Sequence, residues 1–213
     1  MQPFQFFNFY LVQIHENGSM LIDETLQPEN MIKLYSIGAF PMADDQYSPI
    51  EWYFPQIRAI IPLDNYNIPR SVKQLIKRKK FEVRFDQDPM QVIRNCAKRE
   101  KTWITEELIE AYERIYKLGY IHSVETYFMN KLVGGLYGVV IKGAFFGESM
   151  FSFHENASKV ALAHLILHLK ERNFKLLDVQ IINPHLEMFG AIEISLEEYN
   201  QLLLEAYQTE TTF

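Results

Sequence analysis

A single cysteine, Cys96, is all the thiol chemistry in this 213-residue chain. One thiol excludes an internal disulfide, and no CxxC or Cys/His spacing supports a structural zinc site. An uninterrupted apolar run of about 18 residues, the minimum for a membrane-spanning helix, is also missing. Residues 3–14 are apolar, but Gln5, Asn8 and Gln13 interrupt them, with neither a basic lead nor a small-residue cleavage site. They read as a strand rather than a signal peptide. The chain is therefore expected in the cytoplasm, without a membrane partner. It has no internal repeat and no low-complexity stretch. What it has in quantity is apolar surface, 48% hydrophobic and 14% aromatic, enough for one large domain or two small ones.

Positive charge is scarce overall, since the net charge is −6, but it is unevenly placed. Residues 69–101 hold eleven of the 21 basic side chains against four acidic ones. That gives this stretch a local balance of +7 and leaves −13 on the remainder. Two readings stand: a solvated helix face, or a patch that binds phosphates by releasing counterions.

Apolar periodicity predicts helices over 29–37, 71–79, 89–98, 105–118, 157–172 and 196–207. Asp88, Thr105 and Asn156 read as N-caps and Gly119 as a C-terminal stop. Strands are expected over 58–61, 81–85, 123–128, 132–140, 144–151 and 175–182, with tight turns at Asn130-Lys131 and 141–143. Residues 185–191 read as irregular. The Pro-, Asp- and Asn-rich stretch 41–69 suggests a boundary, dividing the chain into a small domain over 1–66 and a larger one over 67–213. Three antiparallel strands, a helix and a further strand make the larger unit α+β, with helices on a mixed, largely antiparallel sheet.

Within the last predicted strand, Asp178 and Gln180 stand two residues apart and share a face, while Leu177, Val179 and Ile181 take the other. A carboxylate in a strand covered on both sides costs several kcal/mol unless partnered, which marks the pair as a candidate site. By the same alternation Phe146, Glu148 and Met150 share one face, and Phe145, Gly147 and Phe151 the other. His164 and His168 have the i, i+4 spacing of a metal pair, but nothing nearby completes a zinc motif, and no metal or cofactor is expected. A coenzyme A acyltransferase would want a glycine-rich turn at the start of the 157–172 helix. Ser152-Phe-His-Glu-Asn-Ala-Ser158 has no glycine, which weighs against that donor.

Several blocks occur in order: Tyr35-Ser-Ile-Gly-Ala-Phe-Pro-Met42, Thr102-Trp-Ile-Thr105, His122-Ser-Val-Glu125 and Leu132-Val-Gly-Gly-Leu-Tyr-Gly138. Gly147-Glu-Ser-Met-Phe-Ser152, Asn156-Ala-Ser-Lys159, Asp178-Val-Gln180 and Asn183-Pro-His-Leu186 follow. Together, from about residue 30 to 191, they resemble the bacterial leucyl/phenylalanyl-tRNA-protein transferases. The resemblance implies a GNAT-like catalytic domain and an aminoacyltransferase that moves Leu or Phe, with Met left open, from aminoacyl-tRNA to proteins beginning with Arg or Lys. Such proteins are thereby marked for degradation. Asp178 and Gln180 match the catalytic pair, Gln180 at the reacting amine and Asp178 either polarising it or holding the basic acceptor. Glu148 matches an acceptor-binding glutamate. The pocket for the donor side chain maps onto Leu136, Phe145, Leu165 and Leu177, with Met150 and Asn183 beside it. Trp103, Met42 and Tyr112 match positions near the terminal adenosine. The tRNA acceptor stem is assigned to Arg70, Lys73, Lys77, Arg78, Lys79, Lys80 and Arg84. A monomer is expected. Met188 and Leu196 depart from the family's serine and basic residue. These departures motivate a rival reading as a non-catalytic binder of aminoacyl-tRNA or basic N-termini.

Overall fold

The computed structural model describes residues 25–45, 47–98 and 102–213, so the strand expected over 3–14 lies outside the described residues. In chain order the elements begin with α1 (Pro28–Ser36), β1 (Phe40–Met42), β2 (Glu51–Tyr53) and β3 (Ile57–Ile60). Next come α2 (Arg70–Lys77), β4 (Glu82–Phe85), α3 (Pro89–Ala97) and α4 (Glu106–Lys117). The strands β5 (Ile121–Phe128), β6 (Lys131–Ile141) and β7 (Ala144–Ser152) precede α5 (Ala157–Glu171) and β8 (Leu176–Gln180). The last elements are α6 (Pro184–Glu187), β9 (Ile192–Ser195) and α7 (Leu196–Gln208).

The local signals that end these elements are chemical. Asp88 accepts from the Gln91 N–H and Thr105 from the Leu108 N–H, each satisfying an orphan donor of its helix. Ser195 and Glu198 form a reciprocal capping box at the start of α7. Asn156 stands at the N-cap position of α5 as expected, but it adopts a left-handed conformation, φ +65°, and its side chain makes no capping bond. The stretch expected to be irregular contains α6, whose N–H groups at His185 and Leu186 donate to Asn183 Oδ1.

Among the described residues seven strands form one mixed sheet in the order β4-β5-β6-β7-β8-β3-β9, and β1 and β2 form a separate antiparallel pair. Only β7 and β8, among the described residues, are paired in parallel. The neighbours β4-β5, β5-β6, β6-β7, β8-β3 and β3-β9 are antiparallel. A helix must cross between parallel neighbours, and α5 does so. β3, from the segment read as the N-terminal unit, sits inside this sheet between β8 and β9. One core, filled from α1, α3, α4 and α7, covers one face. A second, filled from α2, α5 and α6, covers the other. With both faces covered, any polar side chain that the sheet points inward must find a partner in the protein.

Candidate active site

The parallel pairing of β7 with β8 runs from Ala144 and Leu176 only as far as Phe146 and Asp178. Beyond that point the strands part, and a cavity of about 760 Å³ lies between them. Ser158, Leu162 and Leu165, spaced i, i+4 and i+7 on α5, form one wall. Leu136, Phe145 and Leu177 close the apolar end, and Asn95 and Lys98 at the end of α3 stand at the other side.

Glu148 enters this cavity through a defect in the strand. Tyr137 faces Ser149 and Gly138 faces Gly147, so Glu148 is the extra residue of a β-bulge. A Cβ at Gly138 would lie 2.3 Å from the Phe146 carbonyl oxygen and 2.4 Å from the Phe145 ring, so only glycine fits opposite the bulge. The bulge also shifts the phase of β7. Phe146 and Phe151 belong to one core while Phe145 and Met150 face the other, which corrects the simple alternation expected for this strand.

The carboxylate of Glu148 accepts from the Tyr112 hydroxyl at 2.6 Å and from Gln180 Nε2 at 3.0 Å. Tyr112 in turn is 3.1 Å from the Tyr35 hydroxyl. Burial disfavours the ionised form and pushes the Glu148 pKa up to about 7, the tyrosine hydrogen bonds acting against that rise. Near neutral pH this group can therefore both accept and release a proton.

Asp178 is fully buried behind Gln180. Arg58 grips it from two nitrogens, Nε at 3.0 Å and Nη2 at 2.5 Å. The Tyr199 hydroxyl donates at 2.7 Å and the Gln180 backbone N–H at 2.8 Å. Arg58 itself lies between the rings of Phe40 and Tyr199, 4.6 and 4.8 Å from their centroids. Asp178 is thus committed to neighbours on three segments and is absent from the cavity lining.

Gln180 has φ +67°. The Ile181 N–H donates to the Val179 carbonyl at 2.8 Å, making a γ-turn of the rare, strained kind centred on Gln180. The turn ends the alternation of β8 and leaves Ile181 exposed, where continued alternation would have covered it. Asp178 holds the turn from behind while the Gln180 amide reaches Glu148 in front.

The family described as leucyl/phenylalanyl-tRNA protein transferase matches residues 60–204, and the one describing the N-terminal domain of those enzymes matches residues 24–56. The chain belongs to the leucyl/phenylalanyl-tRNA protein transferase family. It is 44% identical over 189 residues to the leucyl/phenylalanyl-tRNA–protein transferase of Pelodictyon phaeoclathratiforme, covering 87% of this chain and 97% of that protein. The corresponding transferase of Chlorobium luteolum is 46% identical over 187 residues, with 86% and 96% covered. A conserved Staphylococcus epidermidis protein of unknown function shows a TM-score of 0.42 at 11% identity, over 82% of this chain and 65% of its own. That likeness is too slight to bear on fold or activity.

In this family member Glu148, Gln180, Leu136, Phe145, Leu165 and Leu177 all line the cavity, as do Met150 and Asn183. Asn183 Oδ1 is occupied in capping α6. Tyr112 reaches the site through its bond to Glu148. Trp103 and Met42 do not line the cavity; Trp103 packs against the core on the α4 side. The basic side chains Arg70, Lys73, Lys77, Arg78, Lys79 and Lys80 are exposed on and just after α2. Arg84 is engaged, with Glu82 at 2.8 Å and the Tyr127 ring 4.2 Å away. His168 stacks on Phe85 rather than pairing with His164 around a metal. Among the described residues no group of three His, Cys, Asp or Glu side chains is placed to hold an ion. No described helix is long and apolar enough to cross a membrane.

Sequence reasoning missed Arg58, Tyr35 and Tyr199. Arg58 left a signal, a guanidinium followed by Ala59-Ile-Ile61 in a strand between prolines. A charge in so apolar a strand needs a buried partner.

Proposed function

We propose that this chain transfers Leu or Phe from aminoacyl-tRNA to the α-amino group of proteins that begin with Arg or Lys, and that the cavity at the parting of β7 and β8 is where the ester meets the amine. The observation that carries this reading is Glu148, poised near neutral pH and hydrogen-bonded to Gln180, at the head of an apolar pocket. The donor side chain lies among Leu136, Phe145, Leu165 and Leu177. The acceptor's N-terminal residue faces Glu148, which offers it a counter-charge.

The acceptor α-ammonium gives a proton to the Glu148 carboxylate, and the freed amine attacks the ester carbonyl carbon. The carbon–oxygen bond to the ribose then breaks. The ribose oxygen leaves with a proton from the attacking nitrogen, and a peptide bond remains. Gln180 presents its side-chain amide to the reacting groups, and Asp178 orients Gln180 rather than touching substrate. The parallel pair that parts to admit substrate supports a GNAT-like description of the fold. In the same proposal residues 1–66 form a small N-terminal unit and 67–213 the catalytic unit, with β3 the strand that builds the first into the sheet of the second. The exposed cations of α2 bear the acceptor stem, and the protein works as a monomer in the cytoplasm without a cofactor.

The test is transfer of labelled Leu or Phe from charged tRNA to a reporter protein beginning with Arg, beside the Gln180→Ala variant. Transfer that collapses in the variant supports both activity and site. Charged tRNA bound without transfer would place the chain among binding modules instead.

A further inference from the structure

Beyond α7 the chain runs as a strap to a residue that touches the back of the donor pocket. The last turn of α7 is itself anchored where the Gly143 N–H, in the β6–β7 turn, donates to the Ala206 carbonyl at 3.0 Å. Any Cβ at Gly143 would lie 2.9 Å from that oxygen and 3.1 Å from the Thr209 Cβ at the start of the strap, so glycine lets the end of α7 sit this close to the turn. Thr211 then donates to the Arg172 carbonyl at the end of α5. Phe213 finishes among four rings, with centroids 4.6 Å from His122, 4.7 Å from His168, 5.6 Å from Phe145 and 6.0 Å from Phe85.

Phe145 is the link to function, because it is fully buried and also lines the cavity, with Phe213 packed beside it outside that cavity. Nothing in the chemistry assigned above uses Phe213. We infer that Phe213 is a specificity-determining residue that supports Phe145 from behind and so sets how deep the donor side-chain pocket is. The inference rests on the reading of that cavity as the donor site. An apolar pocket distinguishes side chains by a methylene or so of depth, about 10- to 200-fold in kcat/KM for each. A support that lets Phe145 retreat or pushes it forward therefore changes the ranking of donors.

The experiment is a competition among tRNAs charged with Leu, Phe and Trp, using the full chain with Phe213→Ala and Phe213→Trp. The first variant frees space behind Phe145 and should raise the kcat/KM of the Trp and Phe donors over Leu by about tenfold. The second fills that space and should move the ratio toward Leu. Opposite movements support the inference, because a purely structural loss lowers all three donors together in both variants. Unchanged ratios, or ratios moving the same way in both, overturn it while leaving transfer itself established. If the wild-type chain transfers none of the three, the functional reading fails and this inference fails with it.

Discussion

Replacing Glu148 with Gln removes a buried carboxylate whose proton affinity the fold has raised from an ordinary 4.5 to about 7. The folded protein holds that proton more tightly than the unfolded chain does. Its contribution to stability is therefore fully present below pH 4.5 and is lost as pH rises through 7. At 1.36 kcal/mol for each pKa unit the loss comes to about 3 kcal/mol by pH 8. The Gln variant keeps a hydrogen-bonding amide in the same place and has no such proton to lose. Urea unfolding at a series of pH values should show the variant gaining on the wild type by roughly 2–3 kcal/mol between pH 5 and pH 8. Parallel stability curves would refute the reasoning, since they would mean that Glu148 titrates alike folded and unfolded. Transfer should move the opposite way. Wild-type kcat/KM should rise with pH through an apparent pKa near 7, and the variant should lose that limb together with roughly 10²- to 10⁴-fold of rate. Tyr112→Phe deletes a hydrogen bond that holds the Glu148 pKa down, so it should shift the limb to higher pH.

Asp178→Ala leaves the Arg58 charge buried without its partner and should cost about 3–5 kcal/mol of stability by thermal or urea unfolding. Adding Arg58→Met to Asp178→Leu should recover most of that stability. Transfer should stay depressed, because the Gln180 N–H then has no acceptor for its turn; recovery of both would refute the positioning role. Neutralising Lys77, Arg78, Lys79 and Lys80 should reduce the salt slope of tRNA binding by about 3, read by filter binding at several salt concentrations. Arg84→Ala should change the slope less, because Glu82 already holds that guanidinium.

The elements of this fold follow mostly from local chemistry. The α4 apolar stripe and its Thr105 cap, the alternation of β5 and β6, and the stop at Gly119 are all written within a few residues of where they act. Asp178 and Gln180 stood out in the same way, as polar groups in an apolar strand, whereas Glu148 was marked by the family resemblance. Asn156 stands at the N-cap position of α5 as expected, but without a side-chain capping bond, because asparagine serves both as a cap and in the left-handed region and local sequence does not choose between them.

The chain by itself therefore determined all of its longer helices, most of its strands and its family, while the short α6 went unread. What only the tertiary structure decided lies where distant segments meet. The bulge that turns Glu148 into the cavity depends on Gly138 across the strand pair, and no period-2 pattern in β7 alone records the extra residue. The partner of Asp178 is Arg58, 120 residues earlier, brought beside it by the insertion of β3 next to β8. That ion pair supports the strained turn at Gln180. The physical reason is one of range: hydrogen bonding and side-chain alternation report on neighbours, whereas buried charge and strain persist only where remote segments over-determine them.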